Sequence, residues 1–291
     1  MERLSTFAVA LALLTTAVQA ASPDLGYVKI SGGTRRLYEL RVASEDGTGA
    51  TTLYSTRDIG QMMIRMGPRA DHTIIVIQGG RFSLLRYTVT FSGPQMLSIE
   101  PLLTIYSGSG AASVDFSPNG KDVAYAAGGG TTINIFNLDT RTSRVIAQLP
   151  SYSRGLSFNH DGSQVYYFEN VSNTDAVLKK VAVAGGGDPI LVGIEGDYDG
   201  VRVGRTADSI LTSRKNIRYD ALTYFAPGNT SPSLIATGYI PSFRCDDAMI
   251  IYQKVNSDNS VSLLRRDMLS GAPYTFSTSG YYYPDYISTC V

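Results

Sequence analysis

"VDFSPNGKDVAYA" (Val114–Ala126) reads as one β-hairpin: an alternating run, the turn Ser117-Pro118-Asn119-Gly120, then a second alternating run. The fold depends on whether this hairpin recurs. Further along stands "LSFNHDGSQVYYF" (Leu156–Phe168), in which Phe158 matches Phe116, Asp161 matches Asn119 and Gly162 matches Gly120. "VRVGRTADSILTS", "PSFRCDDAMIIYQ", "IRMGPRADHTIIVI" and the final "YYYPDYISTCV" fit the same template, with Val203, Phe243, Met66 and Tyr286 in the anchor position. Anchors at 66, 116, 158, 203, 243 and 286 are spaced by 50, 42, 45, 40 and 43 residues. A period of about 44 without helical patterning is the signature of a β-propeller.

Each interval also holds the other strands a blade needs. After the first hairpin come "TINIFNLDTRT" and "SRVIAQL", and later intervals offer "AVLKKVAVAGGG" with "PILVGI", "DALTYFAPGNT" with "PSLIATG", and "VSLLRRDMLSG" with "PYTFST". We label the four strands a to d from the channel outward. The stretch Leu25–Ser55 supplies three strands and no strand a, whereas the C-terminal segment supplies a strand a and stops. Together they complete one blade. The expected architecture is therefore all-β: a six-bladed propeller of four-stranded antiparallel blades, closed by N- and C-terminal strands sharing one blade, which leaves no exposed edge at the junction.

The first twenty residues read as an address. A short charged start, the apolar run from Leu4 to Val18 and the small residue Ala20 fit a secretory signal peptide cleaved after Ala20. The alternative, an anchored helix, needs about 20 apolar residues to span a bilayer, and the run is shorter. Residues 21–291 then form a single propeller domain, periplasmic or secreted, with no stable membrane insertion. The two cysteines fit an oxidising compartment. Cys245 falls in an a–b turn and Cys290 near the end of the last strand, so a Cys245–Cys290 disulfide is expected; two buried thiols are the alternative.

The residues "VDFSPNGKDVAYAA…TTINIFNLDTRTSRVIAQL" resemble the WD40-like repeat of TolB-type propellers, and the resemblance extends over nearly all of residues 21–291. It implies the propeller fold and an exported protein. The separate α/β domain that precedes the TolB propeller has no counterpart here, so the TolB role is not carried over with the repeat.

Composition excludes some functions. Lys+Arg and Asp+Glu are both 25, giving zero formal net charge and no basic face for nucleic acid. Only two histidines occur, His72 and His160, both beside a–b turns, and no Gly-x-Ser-x-Gly is present, so a Ser-His-Asp triad has no visible basis. No metal site is assigned. Calcium remains an option only through the oxygen-rich "EGDYDG" (Glu195–Gly200) and "NSDNS" (Asn256–Ser260), which lack the full calcium-loop spacing and read as solvated loops. No other cofactor is expected. Asn170 and Asn229 stand in glycosylation-type triplets.

One feature points to binding. The d-to-a connections repeatedly carry tyrosine: Tyr106, Tyr152, Tyr198, Tyr239 and the trio Tyr281, Tyr282 and Tyr283, with Arg154, Asp197 and Asp199 beside them. In a propeller these connections gather at one channel mouth. Tyrosine combines rigid apolar area with a hydroxyl, a mixture favoured at binding surfaces. The same residues also fit as wedges between blades. The expectation is a non-catalytic binding scaffold in the cell envelope that takes an envelope protein, a peptide segment or a saccharide. The alternative is a propeller enzyme of the lyase or lactonase type with a metal in its channel.

Overall fold

The computed structural model describes residues 25–32, 36–44, 47, 49–57, 62–67, 73–78, 81–90, 95–108, 113–214, 221–258, 260–277 and 285–286. Apart from one short 3-10 turn at Gly128–Gly130, the regular structure there is β.

The first sheet contains β1 (Leu25–Ser31), β2 (Leu37–Ala43) and β3 (Thr51–Thr56). The second contains β4 (Met62–Met66), β5 (Thr73–Gln78), β6 (Arg81–Thr90) and β7 (Gln95–Ser107). The third contains β8 (Val114–Phe116), β9 (Asp122–Ala127), β10 (Thr132–Asn137) and β11 (Thr142–Gln148). The fourth contains β12 (Ser153–Phe158), β13 (Gln164–Asn170), β14 (Ala176–Ala182) and β15 (Ile190–Gly196). The fifth contains β16 (Tyr198–Val203), β17 (Ile210–Arg214), β18 (Ala221–Phe225) and β19 (Ser233–Thr237). The sixth contains β20 (Tyr239–Phe243), β21 (Met249–Val255), β22 (Val261–Asp267) and β23 (Pro273–Ser277), and β24 (Asp285–Tyr286) returns to the first.

Each sheet is a four-stranded antiparallel meander, and in the first the order is β24-β1-β2-β3. Leu25 pairs with Tyr286 and Gly26 with Asp285. The strands expected to be innermost touch in sequence: β4 meets β8, β8 meets β12, β12 meets β16, β16 meets β20, and β24 meets both β20 and β4. This is the arrangement of a β-propeller.

Burial explains why the strands stack this way. The anchors Met66, Phe116, Phe158, Val203 and Phe243 are all buried. On β13, Val165 and Tyr167 pack against Ala124, Ala126, Ile133 and Ile135 of the preceding sheet. The alternate residues Tyr166 and Phe168 pack against Tyr198, Val201, Val203 and Phe225 of the next. A strand sandwiched between two sheets must be apolar on both faces; "QVYYF" satisfies this and contributes about 1.5–3 kcal/mol for each large side chain buried. The outermost strands face water, with Val145, Ile190, Leu191 and Leu234 exposed.

Candidate functional site

Two polar regions line the inner strands, one at each end. At the d-to-a end, the sequence-predicted tyrosines do not form a uniform ring. Tyr198 is the first residue of β16 and only 4% exposed. Its ring stacks on Phe168 with centroids 5.3 Å apart and meets Phe225 edge-on at 6.1 Å. Burial pushes its phenol pKa up. It is a wedge between sheets, not a rim residue. Tyr106 lies within β7 and packs against Phe82 and Tyr125, its hydroxyl accepting a long bond from Gly128 N–H at 3.5 Å. Tyr239 is the first residue of β20, partly buried and paired with Gln253. Asp199 lies within β16, and Tyr281, Tyr282 and Tyr283 lie outside the described residues.

Tyr152 differs from these. It is 46% exposed, one residue before β12, and the Arg154 guanidinium carbon stands 5.8 Å from its ring centroid. The Arg154 side chain is mostly buried. Nη1 approaches Asp197 Oδ1 at 3.6 Å and donates to the Tyr198 carbonyl at 3.4 Å; Nη2 donates to the Asn173 carbonyl and the Tyr152 hydroxyl, both at 3.4 Å. These are long bonds around a planar five-donor group. Tyr152, Arg154 and Asp197 therefore meet, as the sequence reading grouped them, and Tyr198 supports them from below through its carbonyl.

The reason for the uneven tyrosines is register. The inner strands β12, β16 and β20 each shift register, between Arg154 and Leu156, Tyr198 and Val201, and Tyr239 and Ser242. All three strands carry the same one-residue shift, but Tyr152, Tyr198 and Tyr239 stand 6, 5 and 4 residues before the anchors Phe158, Val203 and Phe243, and an offset of one residue turns a side chain to the opposite face. At the first shift Gly155 has φ +64, and a Cβ there would stand 2.5 Å from the Gly200 Cα. Only glycine allows the two inner strands to approach so closely.

Along the inner edge, the residue before each anchor supplies a second polar set, which the sequence reading missed. Arg65, Asp115, Ser157, Arg202 and Ser242 are each under 10% exposed. Ser117 N–H and Ser113 C=O bond across to β9, so by antiparallel alternation Val114 C=O and Phe116 N–H face the inner edge, where no strand follows. Buried edge groups need partners, and these side chains provide them. Phe158 N–H and the Ser157 hydroxyl donate to Asp115 Oδ2 at 2.9 and 3.2 Å. Val203 N–H donates to Ser157 Oγ at 3.0 Å. Arg65 donates to the carbonyls of Ile64 and Val114 at 2.7 and 3.1 Å, and Arg202 to those of Val201 and Leu156 at 3.0 and 3.3 Å. The available signal was a polar residue preceding every anchor.

The a–b turns fasten neighbouring sheets. Arg205 N–H and Thr206 N–H donate to the Asp247 carboxylate at 2.6 and 2.9 Å. His160, read from sequence as a turn residue, has its Nδ1 2.7 Å from Asp208 Oδ1 in the next sheet, and that bond holds its pKa above the usual histidine value. Tyr166 hydroxyl donates to Asp208 Oδ2 at 3.4 Å, and burial together with the Asp208 charge pushes its phenol up to about 12. The carboxylate half of a triad is thus present, but among the described residues no serine bonds to the other ring nitrogen. His72 lies outside the described residues.

No group of three or more His, Cys, Asp or Glu residues is placed to hold a metal among the described residues. Within "NSDNS", Asp258 Oδ1 accepts Ser260 N–H at 2.9 Å. Asn170 is buried at the end of β13, whereas Asn229 sits in an exposed turn. Cys290 lies outside the described residues, and no free cysteine is present among the described residues. No described helix is long and apolar enough to cross a membrane.

No protein-family model and no curated protein matches the sequence. Similarity appears in structure. TolB from Acinetobacter baumannii superposes with a TM-score of 0.72 at 18% identity, over 91% of this chain and 66% of that one. A chain of the nidogen/laminin complex superposes with a TM-score of 0.65 at 10% identity, over 92% of this chain and 100% of that one. At these identities the fold is what is shared: the chain is a β-propeller of four-stranded antiparallel blades, similar to that of TolB.

Proposed function

We propose that the protein is an exported, non-catalytic binding scaffold of the cell envelope that engages a protein partner through a peptide segment. The observation that carries this reading is the Tyr152–Arg154–Asp197 group. It pairs the exposed Tyr152 ring with an arginine–aspartate pair already fixed in place, so a partner's peptide segment meets a surface that loses little freedom on binding. Tyr239, Asp199 and Tyr281–Tyr283 extend this mouth in the proposed site, while Tyr106 and Tyr198 support it from within. The propeller fold shared with TolB and with a chain of the nidogen/laminin complex agrees with a role in protein association.

The proposal includes six blades in a closed ring. The six four-stranded sheets, the pairing of β24 with β1 and the cycle of inner-strand contacts support it. It includes a Cys245–Cys290 bridge across the closing strand, in keeping with the absence of free cysteine among the described residues, and a signal peptide over residues 1–20 that directs the chain to the periplasm.

Native mass spectrometry on protein purified from its host's envelope fraction tests the reading. A co-purifying polypeptide that is lost from a Tyr152→Ser variant of unchanged stability is the expected result. A stoichiometric metal ion with no partner would overturn it in favour of a channel enzyme.

A further inference from the structure

Three arginines approach the inner edge: Arg65, Arg202 and Arg205. Arg65 and Arg202 are 6% and 9% exposed, and among the described residues neither forms an ion pair with a carboxylate. Both instead donate to strand carbonyls facing the channel. Arg205 reaches inward from the β16–β17 turn, with Nη2 3.7 Å from Asp115 Oδ1 on β8, past the intervening β12. Asp115 already serves Phe158 N–H and the Ser157 hydroxyl. Two guanidinium N–H groups here, Arg202 Nε and Arg205 Nη1, are buried without any hydrogen-bond partner.

A buried guanidinium is costly unless its charge and its donors are matched. Both side chains are tied to groups at the inner edge of β12. Arg202 reaches the Leu156 carbonyl, while Arg205 reaches the carboxylate that holds Phe158 N–H. Leu156 and Phe158 are two residues apart on one strand, about 7 Å, so the two guanidinium groups approach neighbouring places on its inner edge. Arg205 keeps 16% of its side chain exposed, at the a–b turn end, opposite the tyrosine-bearing end.

We propose that this end of the channel is a binding site for a small oxyanion of the carboxylate or phosphate kind, received by Arg202 Nε and Arg205 Nη1, with Arg65 adding to the positive field. Planar guanidinium donors suit both groups. The site does not depend on the partner-binding role of the tyrosine end.

The test is a thermal-unfolding and calorimetric titration of the whole chain with inorganic phosphate and, separately, acetate, at ionic strength held constant with chloride. A ligand bound only by the folded state raises the midpoint saturably. The expected result is a saturable rise with at least one of the two anions; which anion gives it identifies the ligand kind. Arg205→Gln should abolish it, and Lys121→Met, which removes an exposed cation from another a–b turn, should leave it intact. Arg202→Met tests the deeper donor, and Arg205→Gln keeps the test decisive where Arg202→Met fails to fold. No saturable response to either anion, or a response that survives Arg205→Gln, overturns the proposal.

Discussion

The Asp115 carboxylate of one blade accepts the backbone N–H of Phe158, the anchor of the next, at 2.9 Å. Ser157 repeats the relationship with Val203 at 3.0 Å. An inner strand has no further strand beside it, and side chains from the neighbouring blade take that place. Where the position is arginine it cannot accept, and it serves the carbonyls instead.

Asp115→Ala removes the acceptor of Phe158 N–H and the charge facing Arg205. The expected loss is about 3–5 kcal/mol, as for breaking one side of a buried pair. Asp115→Asn keeps an acceptor and should lose about 1–3 kcal/mol. Urea unfolding of the two variants measures both; equal, negligible losses would show that the inner edge is satisfied in some other way.

Tyr198 and Tyr152 should separate cleanly. Tyr198→Ala empties a space between Phe168 and Phe225 and should cost about 3–5 kcal/mol. Tyr152→Ser changes an exposed side chain and should stay within about 0.5 kcal/mol. Chemical denaturation measures the first, and retention of stability with loss of partner binding marks the second as a surface residue.

His160 gives the fold a pH response. The hydrogen bond to Asp208 and then its charge raise the folded-state pKa, so charged His160 favours the folded state. That contribution is complete below the unfolded value of about 6.5 and disappears as pH rises through the raised folded value. The His160 ring should titrate above a model histidine by NMR, and the melting temperature should fall across the same window. In Asp208→Asn both effects should vanish; a ring that titrates unchanged there would show that Asp208 is not the cause.

The proposed Cys245–Cys290 bridge closes a loop of 46 residues counted inclusively, for which chain entropy gives about 4 kcal/mol. Nonreducing peptide mapping should recover the two cysteines linked, and reduction should lower the unfolding midpoint. Two alkylatable thiols in the untreated protein would sink the bridge.

Sequence alone determined the repeat. Hairpin turns such as Ser117-Pro118-Asn119-Gly120 and Asn159-His160-Asp161-Gly162 are local, and an anchor every 40 to 50 residues reflects one supersecondary unit copied along the chain. The pairing of Leu25 with Tyr286 was legible for the same reason, because one segment lacked the strand the other supplied. The candidate site was legible only in part. Tyr152, Arg154 and Asp197 were named together and meet, but Tyr198 was grouped with them and turns inward. Tyr152 stands 6 residues before its anchor and Tyr198 stands 5 before its own, and with the same one-residue shift in both strands that offset puts them on opposite faces. The cross-blade partners of Asp115, Arg202 and His160 lie more than forty residues away. Only the stacking of blades brings those groups together, so the inner edge and its unmatched arginines belong to the tertiary structure.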